Sequence, residues 1–126
     1  YDKNEVLRVL KPNGTFIVNQ NGSDNLHEFL SMYMPFKMRG VWDMNSCAMT
    51  LADAGFEVVE TKEDRGYIRF HNLRQIQTYF RKVAPEVAEN IPQYKSFYMH
   101  ALDEIKQNTY FQLTTYRFLV VAKKNF

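Results

Sequence analysis

Few residues in this chain have the type and spacing for chemistry, and each also has a plainer role open to it. His71 precedes a predicted helix and can act as a general base, cap that helix or stand in solvent. His27 and His100 fall on predicted helices away from matching ligands. Together with Cys47 the three histidines lack metal-ligand spacing. Cys47 itself reads as a small buried hydrophobe, because no paired base is in view to make it a nucleophile. Arg69 and Arg74 suit an anionic group of a substrate or a surface role. Trp42, beside Asp43, either stacks on a ligand or anchors a core. Met32, Met34, Met38, Met44 and Met49 crowd one stretch, as adaptable packing or as the wall of an apolar pocket. The charges at 37–39 and 123–124 are too few for a nucleic-acid patch and read as solvated.

Periodicity defines the elements that must position these side chains. Residues 2–10 read as a helix with Val6, Leu7 and Leu10 on one side. It stops at Lys11-Pro12-Asn13-Gly14, where proline cannot continue a helix and Asn-Gly suits a positive-φ turn. Residues 15–19 form a short apolar strand, and 21–24 a loop in which Ser23 or Asp24 can cap the next helix. In that helix Leu26, Phe29, Leu30, Tyr33 and Met34 make an amphipathic stripe, closed by Pro35. Residues 36–41 are irregular. A helix over 44–54 turns Ala48, Leu51 and Ala52 inward and ends at Gly55. A strand over 56–60 follows, then a polar turn or twisted extension over 61–65, then extended chain over 66–70. Asn72 caps a helix whose Leu73, Ile76, Phe80 and Val83 share a face, and Pro85 ends it. Pro92 opens another, with Tyr94, Phe97, Tyr98, Ala101, Leu102 and Ile105 at helical spacing. Residues 110–122 are a long strand whose continuously apolar part, 118–122, belongs in the middle of a sheet.

These 126 residues suffice for one compact domain, 1–126, with a core of its own. Hydrophobic residues at 45% and charged residues at 24% argue against disorder and coiled coil. A net charge of +2 gives no electrostatic footprint for nucleic acid. No apolar run approaches the roughly 20 residues that span a bilayer, so no membrane partner is expected. A single cysteine fits a reducing, cytoplasmic setting. The chain opens at Tyr1 inside a helix, without a signal segment, and the expectation is therefore a fragment of a longer protein.

Three segments carry a family likeness. Residues 5–18, with Arg8-Val-Leu-Lys-Pro-Asn-Gly14 at their centre, resemble the helix, turn and fifth strand of class I S-adenosylmethionine-dependent methyltransferases. Asn13 replaces a glycine of that turn. Leu51-Ala-Asp-Ala-Gly-Phe-Glu-Val-Val59 is similar to the step into the sixth strand, and Thr115-Tyr-Arg-Phe-Leu-Val-Val-Ala-Lys-Lys124 to the reversed seventh. The matches come in family order and frame most of the chain. The family's glycine-rich cofactor loop and the acidic residue closing its second strand have no counterpart. The five glycines, Gly14, Gly22, Gly40, Gly55 and Gly66, stand singly.

The resemblance implies an α/β fold: the C-terminal part of a Rossmann-like methyltransferase, with a three-stranded mixed sheet ordered 5-7-6. It implies S-adenosylmethionine as cofactor of the full-length parent, none bound by this chain, and a small-molecule substrate. Ligands of open α/β sheets sit outside the carboxyl ends of the strands. Segments 22–42 and 66–108 would be insertions at that edge, forming a helical cap over the substrate. Asn21, Tyr67, Arg69, His71 and Tyr110 are then the expected substrate-binding residues, with no catalytic or metal-binding residue named. An apolar strand over 15–19 that lacks its neighbour, and has no Lys, Arg or Pro, is expected to self-associate through its open edge. The alternatives are a non-catalytic α/β binding or dimerisation module, and part of an RNA methyltransferase.

Overall fold

The structure, a computed structural model, describes residues 1–33 and 41–126. The chain runs α1 (Lys3–Val9), β1 (Thr15–Asn21), α2 (His27–Tyr33), α3 (Met44–Ala54), β2 (Glu57–Phe70), α4 (Leu73–Val83), α5 (Pro85–Glu89), α6 (Lys95–Asn108) and β3 (Phe111–Lys123). Met34, Met38, Pro35, Lys37 and Arg39 lie outside the described residues.

Local chemistry sets most boundaries. Asp2 caps α1 by accepting the Asn4 and Glu5 N–H groups. Asp43 caps α3 through Ser46 N, and Asn72 caps α4 through Gln75 N. Gly55 ends α3 at φ 111°, a left-handed conformation open to glycine at little cost. The turn after α1 takes its positive φ at Asn13, 64°, and not at Gly14. Ser23 and Asp24 do not take the expected capping role at α2. Ser23 Oγ accepts the Trp42 N–H, and Asp24 meets Arg65.

The three strands form one sheet in the order β1-β3-β2, the expected 5-7-6. Both ladders are antiparallel, so β1 and β2 run the same way on either side of a reversed β3. Two strands are longer than expected. β1 continues to Asn21, opposite Arg117, so Asn21 ends a strand and does not begin a loop. β2 is continuous from Glu57 to Phe70, with one irregularity between Val58 and Glu60. The polar stretch 61–65 stays extended because each of its residues pairs with β3, a long-range ladder that overrides local preference.

Two cores lie on opposite faces of this sheet. Tyr116, Phe118, Val120 and Ala122 of β3 pack with Val18, Cys47 and Leu51 beneath α1 and α3. Phe111 and Leu113 pack with Phe70, Ile76, Phe80 and Phe97 beneath α2, α4 and α6. Leu113 and Tyr116 are three residues apart and so point to opposite sides of a pleated strand. The second core sits at the end where β1 and β2 finish and β3 begins. Ala52, Val83 and Leu102, expected to face inward, are exposed. Among the described residues no helix is long and apolar enough to cross a membrane.

Candidate functional site

At the carboxyl end of β2 the alternation of the strand puts Tyr67 and Arg69 on one face, opposite Thr114 and Gln112 of β3. The Arg69 guanidinium lies 4.7 Å from the Tyr67 ring centre and 4.2 Å from that of Tyr110. Its Nε donates to Gln112 Oε1 at 3.1 Å. Two aromatic rings and a neutral amide thus hold the head group, which remains exposed. Among the described residues it meets no carboxylate.

Arg65, four residues earlier on the same face, makes a useful contrast. Its guanidinium lies 3.7 Å over the Tyr116 ring, with Nη1 donating to Asp24 at 3.1 Å and Nε to Glu63 at 3.4 Å. That charge is compensated, and its bond to Asp24 favours the charged form. The Tyr116 hydroxyl accepts the Met44 N–H and donates to Glu63. Burial raises its pKa above the ordinary tyrosine value. Gly22 lies under this ring, where a Cβ would enter the ring's own space and reach 3.0 Å from Trp42 O. The glycine is there for close approach.

Between the two arginines the edge of β3 is completed by side chains. β1 ends opposite Arg117, which leaves the β3 groups beyond it without a strand. Glu28 accepts the Thr114 N–H at 2.9 and 3.1 Å and the Thr114 hydroxyl at 2.6 Å. Asn25 Oδ1 accepts the Tyr116 N–H at 2.9 Å, and Leu26 N donates to Thr114 O. His27 Nε2 lies 3.3 Å from Thr114 Oγ1 and 3.4 Å from Glu28 Oε2.

The structure brings four of the five expected substrate-binding residues to one end of the sheet. Tyr67, Arg69 and Tyr110 form the stack. His71 lines a groove of about 440 Å³ together with Arg69, Arg74 and Lys82. The His71 ring contacts Thr109 O through Nδ1 at 3.1 Å, and its backbone N–H is held by Gln75 Oε1 at 2.7 Å. Asn21 does not join them. Its partner Arg117 differs in parity from Gln112 and Thr114, so Asn21 points to the other face. Gln112, Glu28 and Thr114 escaped the sequence because their partners are 43 and 86 positions away. A second groove of about 320 Å³ carries Glu28, His100, Glu104 and Tyr110.

The other candidates have structural occupations. Trp42 donates from Nε1 to Gln20 Oε1 at 2.9 Å and lies edge-on to Phe118. Cys47 is fully buried, and burial pushes its thiol up, away from the reactive thiolate. Among the described residues no group of three His, Cys, Asp or Glu side chains is placed to hold a metal ion. Of the glycines at the strand ends, Gly22 lies packed under Tyr116 and forms no open loop.

The fold is that of an α/β protein of methyltransferase-like architecture. A similar fold is found in the crystal structure of a methyltransferase candidate from Bacillus halodurans C-125, with a TM-score of 0.61 at 14% identity over 98% of this chain. The chain spans 57% of the length of that protein. No family model and no curated protein matches the chain in sequence.

Proposed function

We propose that this chain is the C-terminal, acceptor-facing half of an S-adenosylmethionine-dependent methyltransferase that acts on a small molecule in the cytoplasm. One observation carries the proposal. A reversed strand lies between two strands of common direction, and a helical layer sits at the end where those two strands finish. Ligands of open α/β sheets collect at that end. In this proposal α2, α4 and α6 form the substrate cap, within the expected insertions 22–42 and 66–108. Tyr67 and Arg69, on the Tyr116 side of the sheet, then meet the acceptor with His71 and Tyr110 at the sheet's end, where the Arg69 groove borders α4. Asn21, on the opposite face, is left out of this set.

S-adenosylmethionine supplies an electrophilic methyl group on a sulfonium. The protein's task in such a displacement is mainly alignment, with removal of a proton where the acceptor carries one. In this assignment the described residues contribute acceptor binding, and the donor belongs to the remainder of the parent. Calorimetric titration with S-adenosylhomocysteine tests the assignment. We expect no heat from this chain at millimolar ligand, and micromolar binding by the same chain extended upstream through its own reading frame. Micromolar binding by the 126-residue chain, or none by the extended one, overturns it.

A dimerisation role is favoured by a separate observation. Among the described residues β1 pairs only with β3, and its Ile17 is 58% exposed. Second copies of the chain can pair along that edge.

A further inference from the structure

We propose that Arg69 is an oxyanion receptor, and that the ligand taken at this end of the sheet carries a carboxylate or phosphate group beside an apolar body. The inference rests on the acceptor-site assignment above and adds to it the substrate's chemical class.

Arg65 and Arg69 occupy the same face of β2 and are held in the same way, each against a tyrosine ring. They differ in what meets the charge. Arg65 has Asp24 and Glu63. Arg69 has the Gln112 amide on Nε, and among the described residues nothing on either Nη. A guanidinium fixed in this way has lost much of its rotamer freedom before any ligand arrives. It presents two parallel N–H donors in the spacing that a carboxylate or phosphate accepts.

The surroundings point the same way. The groove that Arg69 lines also holds His71, Arg74 and Lys82, and no carboxylate. The acidic side chains Glu28 and Glu104 line the other groove, which Tyr110 and Gln112 also line. Phe70 and the half-buried Tyr79, which line the same groove, offer apolar area for the body of the ligand.

Two probes separate the anion types: benzoate for a carboxylate and phenyl phosphate for a phosphate. Binding to the 126-residue chain is followed by amide and arginine Nε resonances. We expect at least one probe to shift the Arg69 Nε resonance together with the Tyr67 and Tyr110 signals. Arg69→Gln should weaken that probe about tenfold or more, as for loss of a bidentate charged pair. Arg69→Lys keeps the charge but loses the fork, and should weaken it several-fold. Gln112→Leu keeps the arginine but frees its Nε, and should also weaken it. Arg69 is exposed, so these variants are expected to fold; if Arg69→Gln does not, the lysine and Gln112 variants decide. Unchanged affinity in the variants, or no shifts at Arg69 with either probe, overturns the proposal. So does a single-stranded oligoribonucleotide that binds far more tightly than phenyl phosphate. The readout needs no methyl donor. Probe binding through Arg69, combined with an extended chain that takes no S-adenosylhomocysteine, would keep the oxyanion site and reject the transferase.

Discussion

Gly22 is the position where one methyl group should cost most. The Tyr116 ring is fully buried and bonded at its hydroxyl to both Met44 N and Glu63, so it has no room to yield. Gly22→Ala is expected to destabilise the protein by about 1–3 kcal/mol, the usual cost of overpacking. Urea unfolding measures it. Asp43 gives a pH-dependent counterpart. The Ser46 N–H holds its carboxyl below the ordinary carboxylate range. A group whose pKa is lower in the folded state contributes stability above its unfolded value of about 3.9 and loses it as pH falls through the folded value. Asp43→Ala should cost about 1 kcal/mol at neutral pH, whereas Asp43→Asn keeps the cap. The asparagine variant should therefore lose less stability than the native chain on acidification, as read by thermal melts from pH 6 to pH 2. Unequal acid sensitivity of the two chains in the opposite sense would remove this account of the cap.

At the scale of elements, the notable device is the substitution of side chains for a strand. β1 stops at Asn21, yet β3 continues to Phe111, and the Thr114 and Tyr116 N–H groups are taken up by Glu28 and Asn25. This ties α2 to the sheet without extending the ladder. Glu28→Ala would leave the Thr114 N–H without its acceptor, at about 1–3 kcal/mol for an orphaned, partly buried donor. Thr114 should also exchange its amide hydrogen faster in that variant, while Val120, paired with Val18 in the regular ladder, should not. Equal protection of Thr114 in both chains would mean that the Glu28 contact contributes nothing. The element reading of the sequence was good where it rested on local signals. Asn72, Gly55 and the Leu73–Val83 helix came from caps and periodicity, which act within a few residues. Over 61–65 local signals left a turn and a twisted extension open, and the partner strand decides for extended chain.

For the whole molecule, the sheet has a covered side and an open one near β1. Ile17, 58% exposed, and Val59, 52% exposed, lie on the outer strands away from α1 and α3. No charge or proline interrupts β1. Ile17→Lys is expected to reduce association of the chain at high concentration, because a charged side chain on an edge strand opposes pairing with another edge. Sedimentation velocity at several concentrations checks this. A native chain that sediments as a monomer throughout, indistinguishable from the variant, removes self-association through β1.

By itself the amino-acid sequence determined the α/β class, the order of the strands by resemblance, the central place of the apolar 118–122 segment and most helix limits. These depend on propensity, capping and patterning within short windows. The choice of faces was decided only by the tertiary structure. Asn21 turned out to face away from Tyr67 and Arg69, and two cores formed on opposite sides of one strand. Both follow from register, and a shift of one residue in pairing reverses every side chain. The Arg69 stack was beyond sequence for the same reason. Tyr67, Tyr110 and Gln112 meet that guanidinium only after β2 and β3, some forty residues apart, have paired.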